Sequence, residues 1–424
     1  MNGPSSVRAS QPASALAPDA GQHVGRGKAA SLFILLLTQV AAMGVWFSSS
    51  SAVALIKQAH AIAPFDEALL TSAVQFGFVA GTIASALLSL PDRYDLRRLF
   101  AASALVAALA TGALAMLPPT GGVVVALRFL TGMCMAGVYP VGMRLAATWA
   151  QGDLGLLIGL LVGALTLGSA SPHLIAGMEG LDWRAIYCVA AVCAAIAAAA
   201  IGLAGIGPNI RRATRVDLSK VAQAWRQPAV RLANLGYLGH MWELYAMWAW
   251  LALFLQQTLA ARGVADARAQ AEWLTFGVIA FGSLGAWFGG WLADRVGRTA
   301  VTIGAMATSA SCAALIGWFA SAPTAVLIAV ALVWGFSVIA DSAQFSASVA
   351  ELSEPTSVGT LLTAQTCAGF LLTLISIHLV PDVAAHLGWR GGFGMLAIGP
   401  ALGCIAMWRL RRHPDSVRLA GGRR

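Results

Sequence analysis

Three ionisable side chains in this sequence stand where charge is expensive. Arg128, Glu243 and Asp341 lie inside long apolar runs, and an ionised group at the centre of a bilayer costs on the order of 2.5–3.5 kcal/mol on insertion scales. Such residues face a cavity, pair with one another, meet a solute's charge or carry a proton. A carboxyl suits the last task, because burial favours its neutral form while a nearby cation favours the carboxylate. Helical spacing sets Gly236, His240, Glu243 and Met247 on one face, and Ser337, Asp341, Gln344 and Ser348 on another. Arg128, Gly132, Met135 and Tyr139 form a third stripe, with the glycine leaving room beside the guanidinium, and Gln39, Met43, Trp46 and Ser50 form a fourth. At about 1.5 Å per residue, Glu243 and Arg128 come to a similar depth. The two are therefore expected to face each other across a cavity, with His240 and Asp341 as a second polar level. The plainer alternative is that both acids only tie helices together.

The elements that must position these residues are membrane spans. Of 424 residues, 58% are hydrophobic and 11% charged, against roughly 45–50% and about 25% in soluble domains. The mean hydropathy is +0.75. Apolar runs lie near 31–56, 67–90, 98–117, 121–146, 154–178 and 184–206, and again near 231–257, 272–293, 299–320, 323–349, 357–380 and 390–411. Each matches the length of about 20 residues that a helix needs to cross hydrocarbon. Backbone groups in lipid find no water, so the spans must be helices rather than open strands. An all-α membrane protein with twelve transmembrane helices is expected.

The formal net charge of +9 suggests a polyanion partner only until the basic residues are placed. With the N-terminus inside, 21 of 27 fall in tails and cytoplasmic loops, and Lys57, Arg184, Arg262, Arg268 and Arg390 face out. That bias fixes both termini in the cytoplasm of a multi-pass protein of the cell inner (plasma) membrane, and it needs no nucleic acid. Residues 1–28, rich in Ser, Ala, Pro and Gly, read as a disordered cytoplasmic tail. A six-helix bundle over 29–206, a cytoplasmic linker over 207–230, a second bundle over 231–411 and a basic tail over 412–424 follow. The six cysteines show no pairs at metal-ligand spacing and read as small core residues.

An internal repeat supports the division. Asp92-Arg93 recurs as Asp294-Arg295 at an offset of 202, and Asp182-Trp183-Arg184 is echoed by Gly388-Trp389-Arg390 at 206. Parallel repeats of this kind place a solute site between the halves near the bilayer midplane. The stretch from Gly290 through Asp294, Arg295, Gly297 and Arg298 resembles the loop signature of the major facilitator superfamily. Leu90 to Arg98 keeps Asp92, Arg93 and the basic cluster but lacks both glycines, and Arg128 to Pro140 is similar to the family's fourth helix. The resemblance spans about residues 30–411. It implies two pseudo-symmetric six-helix bundles, with a cavity lined chiefly by the first, fourth, seventh and tenth spans. It also implies that Asp92, Arg93, Gly290, Asp294, Arg295, Gly297 and Arg298 are gating residues that latch the halves on the cytoplasmic side. A simpler role for Arg295 and Arg298 is to fix topology.

The expected activity is secondary active transport of a small solute by alternating access. No phosphate-binding loop of the Gly-x-x-x-x-Gly-Lys-Ser/Thr type is present, so nucleotide-driven pumping is unsupported. His240 and Glu243 lack the second histidine of a zinc motif, so neither an enzyme nor a metal site is expected, and no cofactor is implied. The expected substrate or coupling residues are Arg128, Glu243, Asp341, His240, Gln39, Trp46, Tyr139 and Gln344, with a proton as coupling ion and a monomer as the unit. Drug exporters of the family carry a Gly-Pro-x-x-Gly-Gly element in the fifth span, whereas Gly163 to Pro172 lacks the Gly-Pro pair. Proton-coupled uptake is therefore preferred to an efflux antiporter. His173 and His378 read as hydrogen-bonders near span ends.

Overall fold

A computed structural model describes residues 27–151, 153–209, 220–354 and 356–424. Most of the expected tail and the middle of the expected linker, residues 1–26 and 210–219, lie outside the described residues. Among the described residues all regular structure is helical. The first half contains α1 (Lys28–Ala59), α2 (Pro64–Leu87), the short α3 (Leu90–Arg93), α4 (Leu96–Leu114), α5 (Gly122–Met135), α6 (Tyr139–Ala147), α7 (Leu154–Ala176) and α8 (Trp183–Ala200). The second contains the short α9 (Gln223–Arg226), α10 (Pro228–Ala261), α11 (Ala267–Val296), α12 (Arg298–Ile316), α13 (Thr324–Ala340), α14 (Ser342–Leu352), α15 (Val358–Gly394) and α16 (Ile398–Arg412).

Local chemistry sets these ends and breaks. Pro64 and Pro228 open α2 and α10, where a missing N–H costs nothing. Asp95 and Asp182 accept backbone N–H bonds at the starts of α4 and α8. The fourth span breaks between α5 and α6 just before Pro140, which cannot donate into the helix. The tenth breaks between α13 and α14 at Asp341. The stretch Val358–Arg412 is 55 residues long, about 80 Å of helix against a hydrocarbon core of roughly 30 Å. It crosses twice, turning back near Gly388, whose φ of 66° is left-handed. Counted so, the eleven long apolar stretches make twelve spans.

The spans form two six-helix bundles that meet along two seams, α2 against α15 and α7 against α11. Numbered as spans these are two with eleven and five with eight, which exchange under a twofold relation between halves. Large apolar side chains such as Leu109, Val192, Ile196, Ile375 and Leu402 point outward, as lipid contact requires. Arg184, Arg295, Arg390 and Arg412 lie over the rings of Trp183, Trp291, Trp318 and Trp408, an interfacial pairing at span ends. The end of the molecule where α1 begins is called the tail face below, and the opposite end the far face.

Candidate functional site

The buried ions are satisfied inside their own bundles. Arg128, fully buried on α5, donates to the carbonyls of Leu70 at 3.1 Å, Val45 at 2.9 Å and Trp46 at 2.6 Å, and to Ser48 Oγ at 3.2 Å. Every one of these acceptors is on α1 or α2. Glu243 on α10 accepts from Trp334 Nε1 at 2.6 Å and Ser309 Oγ at 2.8 Å, on α13 and α12. The expected confrontation of Arg128 and Glu243 across a cavity is therefore corrected: helix carbonyls accept the guanidinium's N–H bonds, and neutral donors hold the Glu243 carboxyl. Nor does Gly132 make room for the guanidinium. A β-carbon there would run into the Val74 carbonyl, so the glycine serves close packing of α5 on α2. His240 and Asp341 do come together, Nδ1 to Oδ1 at 2.9 Å, both buried. Gln344, buried on α14, accepts from Arg298 at 2.8 Å.

What fills the middle of the seam is aromatic. Trp46 and Phe78 of the first bundle, with ring centroids 4.9 Å apart, meet Phe370 of the second at 5.7 and 4.5 Å. Tyr245 stacks on Phe47 at 5.8 Å with planes 6° apart. Tyr139 stands half-buried at the start of α6, where the fourth span breaks. Around these rings stand buried polar atoms with no partner among the described residues: both amide atoms of Gln39 and of Gln75, and the indole nitrogens of Trp46 and Trp248. Each such group costs about 1–3 kcal/mol when left unmet, which makes this band the candidate solute site.

Both ends of the seam carry contacts between the bundles. At the far face His173 Nδ1 on α7 lies 2.6 Å from Glu272 Oε2 on α11, both almost fully buried. Arg268 of α11 donates to the Ala176 carbonyl, and Ser72 of α2 meets His378 Nε2 of α15 at 2.9 Å. A cavity of about 20 Å³ remains there, lined in part by Ser50, Glu67, Thr71 and Glu272, room for about one water. At the tail face Asp294 Oδ2 sits against the start of α7, 2.9 Å from where a β-carbon on Gly155 would be. Arg298 stays within its own bundle, on Glu351 at 2.6 Å and Asp294 at 3.6 Å. Arg295 stacks on Trp291, Arg93 is exposed, Gly290 is buried, and Asp92 pairs with Arg144 of its own bundle.

The family model of the major facilitator superfamily matches residues 35–264, more than half of the chain. The chain belongs to this superfamily. Among solved structures it is similar to a mutant form of the nucleoside transporter NupG, with a TM-score of 0.69 over 91% of this chain and 100% of that one, at 14% identity. At that identity the likeness speaks for fold. No curated protein sequence matches.

In this facilitator-superfamily transporter Glu67, Glu272 and Gln75 do not stand out in the sequence, and His173 and His378 stand there only as end-of-span hydrogen-bonders. A signal for the acids is present: Glu67 and Glu272 stand 205 apart, within the repeat offset of the halves. Both lie in the first turns of their spans, where a charge ordinarily reads as interfacial. Gln75 carries no charge and so no warning.

Proposed function

We propose that this transporter takes up a small solute together with protons by alternating access, as a monomer in the inner (plasma) membrane with its tail face in the cytoplasm. The central band supports the reading. Four buried side chains, Gln39, Gln75, Trp46 and Trp248, hold polar atoms that the described residues leave unmet, and the two tryptophans touch rings of the opposite bundle. Buried donors and acceptors kept unpaired are ready to receive a solute's own. Arg128 and Glu243 support this site by fixing α1, α2, α12 and α13 in place. Rings flanked by amides suit planar solutes with hydrogen-bonding edges, so nucleosides, the solute named for the solved neighbour, head the list to test.

The test is uptake into vesicles carrying the reconstituted protein under an imposed proton gradient, with a panel of nucleosides, amino acids, sugars and organic anions. One class is expected to accumulate above its external concentration, to do so only with the gradient in place, and to be lost in Trp46→Ala. If no solute accumulates, or accumulation ignores the gradient, this function is wrong.

A further inference from the structure

The two indoles left unmet in the central band are related by the repeat. Trp46 on α1 and Trp248 on α10 stand 202 residues apart, the same offset as Asp92 and Asp294, and each lies on the first span of its half. Under the twofold relation between the halves they exchange. Both are 1% exposed, and neither Nε1 has a partner among the described residues. Two other buried indoles of the second bundle are paired: Trp250 donates to the Ile377 carbonyl at 2.9 Å and Trp334 to Glu243 at 2.6 Å. A buried N–H without an acceptor is costly, and here the same omission occurs at both matched positions.

Flat faces surround these donors. Trp46 lies nearly parallel to Tyr245 of the other bundle, at 6.1 Å and 18°, and Trp248 meets Phe47 of the other bundle at 5.5 Å. Tyr245 touches both indoles, with Trp248 at 5.6 Å. Such faces stack on a planar ring. Arg128 is engaged by the carbonyls of α1 and α2, Glu243 by Trp334 and Ser309, and His240 and Asp341 by each other. None of these is left to neutralise a charged solute, which would lose its hydration without a counter-charge. An indole N–H can only donate, so what two of them recognise is a pair of acceptors.

We propose that Trp46 and Trp248 are the specificity-determining donors of this transporter, and that its solute is an uncharged planar ring with carbonyl acceptors at two edges, one for each bundle. The inference rests on the central band being the solute site. A ring of this kind satisfies both N–H groups together and touches both bundles at once, as a site between rocking halves requires. A ring whose edges offer only donors leaves both indoles unmet and adds unmet groups of its own. Organic anions and amino acids fall outside the class because they are charged, and sugars because they are not flat. Among nucleosides, those whose base carries two ring carbonyls are favoured.

Equilibrium binding to the purified full chain tests this without any gradient. Calorimetric titrations compare three uncharged planar dicarbonyl rings, uracil, uridine and caffeine, with benzoate, benzylammonium and glucose. At least one of the first three is expected to bind, and none of the others. Trp46→Phe and Trp248→Phe keep a ring but remove the donor. Each should weaken that binding about tenfold, the worth of one hydrogen bond, while the unbound protein melts as the parent does. If one variant does not fold, the other carries the same readout. The proposal is overturned if no dicarbonyl ring binds, if a charged probe binds as tightly, or if the substitutions leave the affinity unchanged. Gradient-driven uptake of a different class would leave the transport function standing and remove this one. A dicarbonyl ring that binds through the indoles while nothing accumulates in vesicles would do the reverse.

Discussion

The loops after the second span of each half share an Asp-Arg pair and are tied down with opposite polarity. In the first half the loop supplies the acid: Asp92 pairs with Arg144 on α6. In the second the loop supplies the base: Arg298 grips Glu351 on α14 with contacts of 2.6, 2.9 and 3.0 Å and also binds Gln344. Residues 418–423 add a clasp there. Arg418 donates to the Leu352 and Ser353 carbonyls, the Ala420 N–H donates to Glu351, and Arg423 reaches the Asp294 carbonyl. Because Arg298 is engaged mainly by Glu351, Asp294 is left to meet the start of α7 in the other bundle. The second loop can thus register where the first bundle stands, while the first loop braces its own.

The buried ions repeat the contrast in the core. Arg128 and Trp334 stand 206 residues apart, at the repeat offset. One donates to backbone carbonyls, the other to the Glu243 carboxyl. A cation surrounded by carbonyls has no like-shaped substitute, since the guanidinium plane reaches four acceptors at once. A carboxyl held by two neutral donors is more replaceable. Arg128→Lys is therefore expected to cost on the order of 3 kcal/mol by leaving a buried ammonium poorly met. Glu243→Gln should cost only about 1 kcal/mol, because one of two donors loses its acceptor. Thermal unfolding of the purified protein in detergent checks the order. Equal losses, or a larger one for Glu243→Gln, would show that the two bundles do not differ in this way.

Much of the fold is legible in the residues alone. Twelve apolar runs, the basic bias and the repeat place the spans, because length and hydropathy decide what crosses lipid. Less of the site is legible. Stripes on single helices put Trp46, Tyr139 and Gln39 on an inward face, yet spacing along one helix says nothing about which neighbour meets it. Arg128 and Glu243 look like partners because opposite charges at one depth attract. Helix carbonyls and the indole of Trp334, which no charge count records, satisfy them first. His173 and Glu272 are obscured for the opposite reason: they sit at span ends, and only the crossing of α7 with α11 buries them.

A middle-sized effect separates the two loops. Gly297 joins α11 to α12 at φ 101°, a region that L side chains rarely adopt, and a β-carbon there would run into the carbonyls of Arg423 and Arg424. Gly297→Ala should cost about 1–3 kcal/mol and loosen the clasp. Faster proteolysis of the chain's last ten or so residues would report it, with the rest of the molecule protected; unchanged cleavage would mean that the glycine is not what seats the tail.

The smallest expected effect lies at the matching place in the first half, where Asp95 rather than glycine precedes the helix. Its carboxylate accepts from the backbone N–H groups of Arg97 at 2.8 Å and Arg98 at 3.3 Å. Partial burial pushes the carboxyl up, but the side chain and N–H of Arg97, with the N–H of Arg98, outweigh it and hold it below the usual carboxylate range. A folded-state value depressed in this way contributes stability above the unfolded value of about 3.9, and that contribution is lost as pH falls through the folded one. Asp95→Ala should then cost about 1 kcal/mol near neutrality, the worth of a helix cap, and the gap to the parent should narrow below about pH 4. Gly297→Ala has no titrating group at stake, so its deficit should stay level over the same range. If the two deficits fall together with pH, the loss at Asp95 comes from something other than its charge, and the loops share one construction after all.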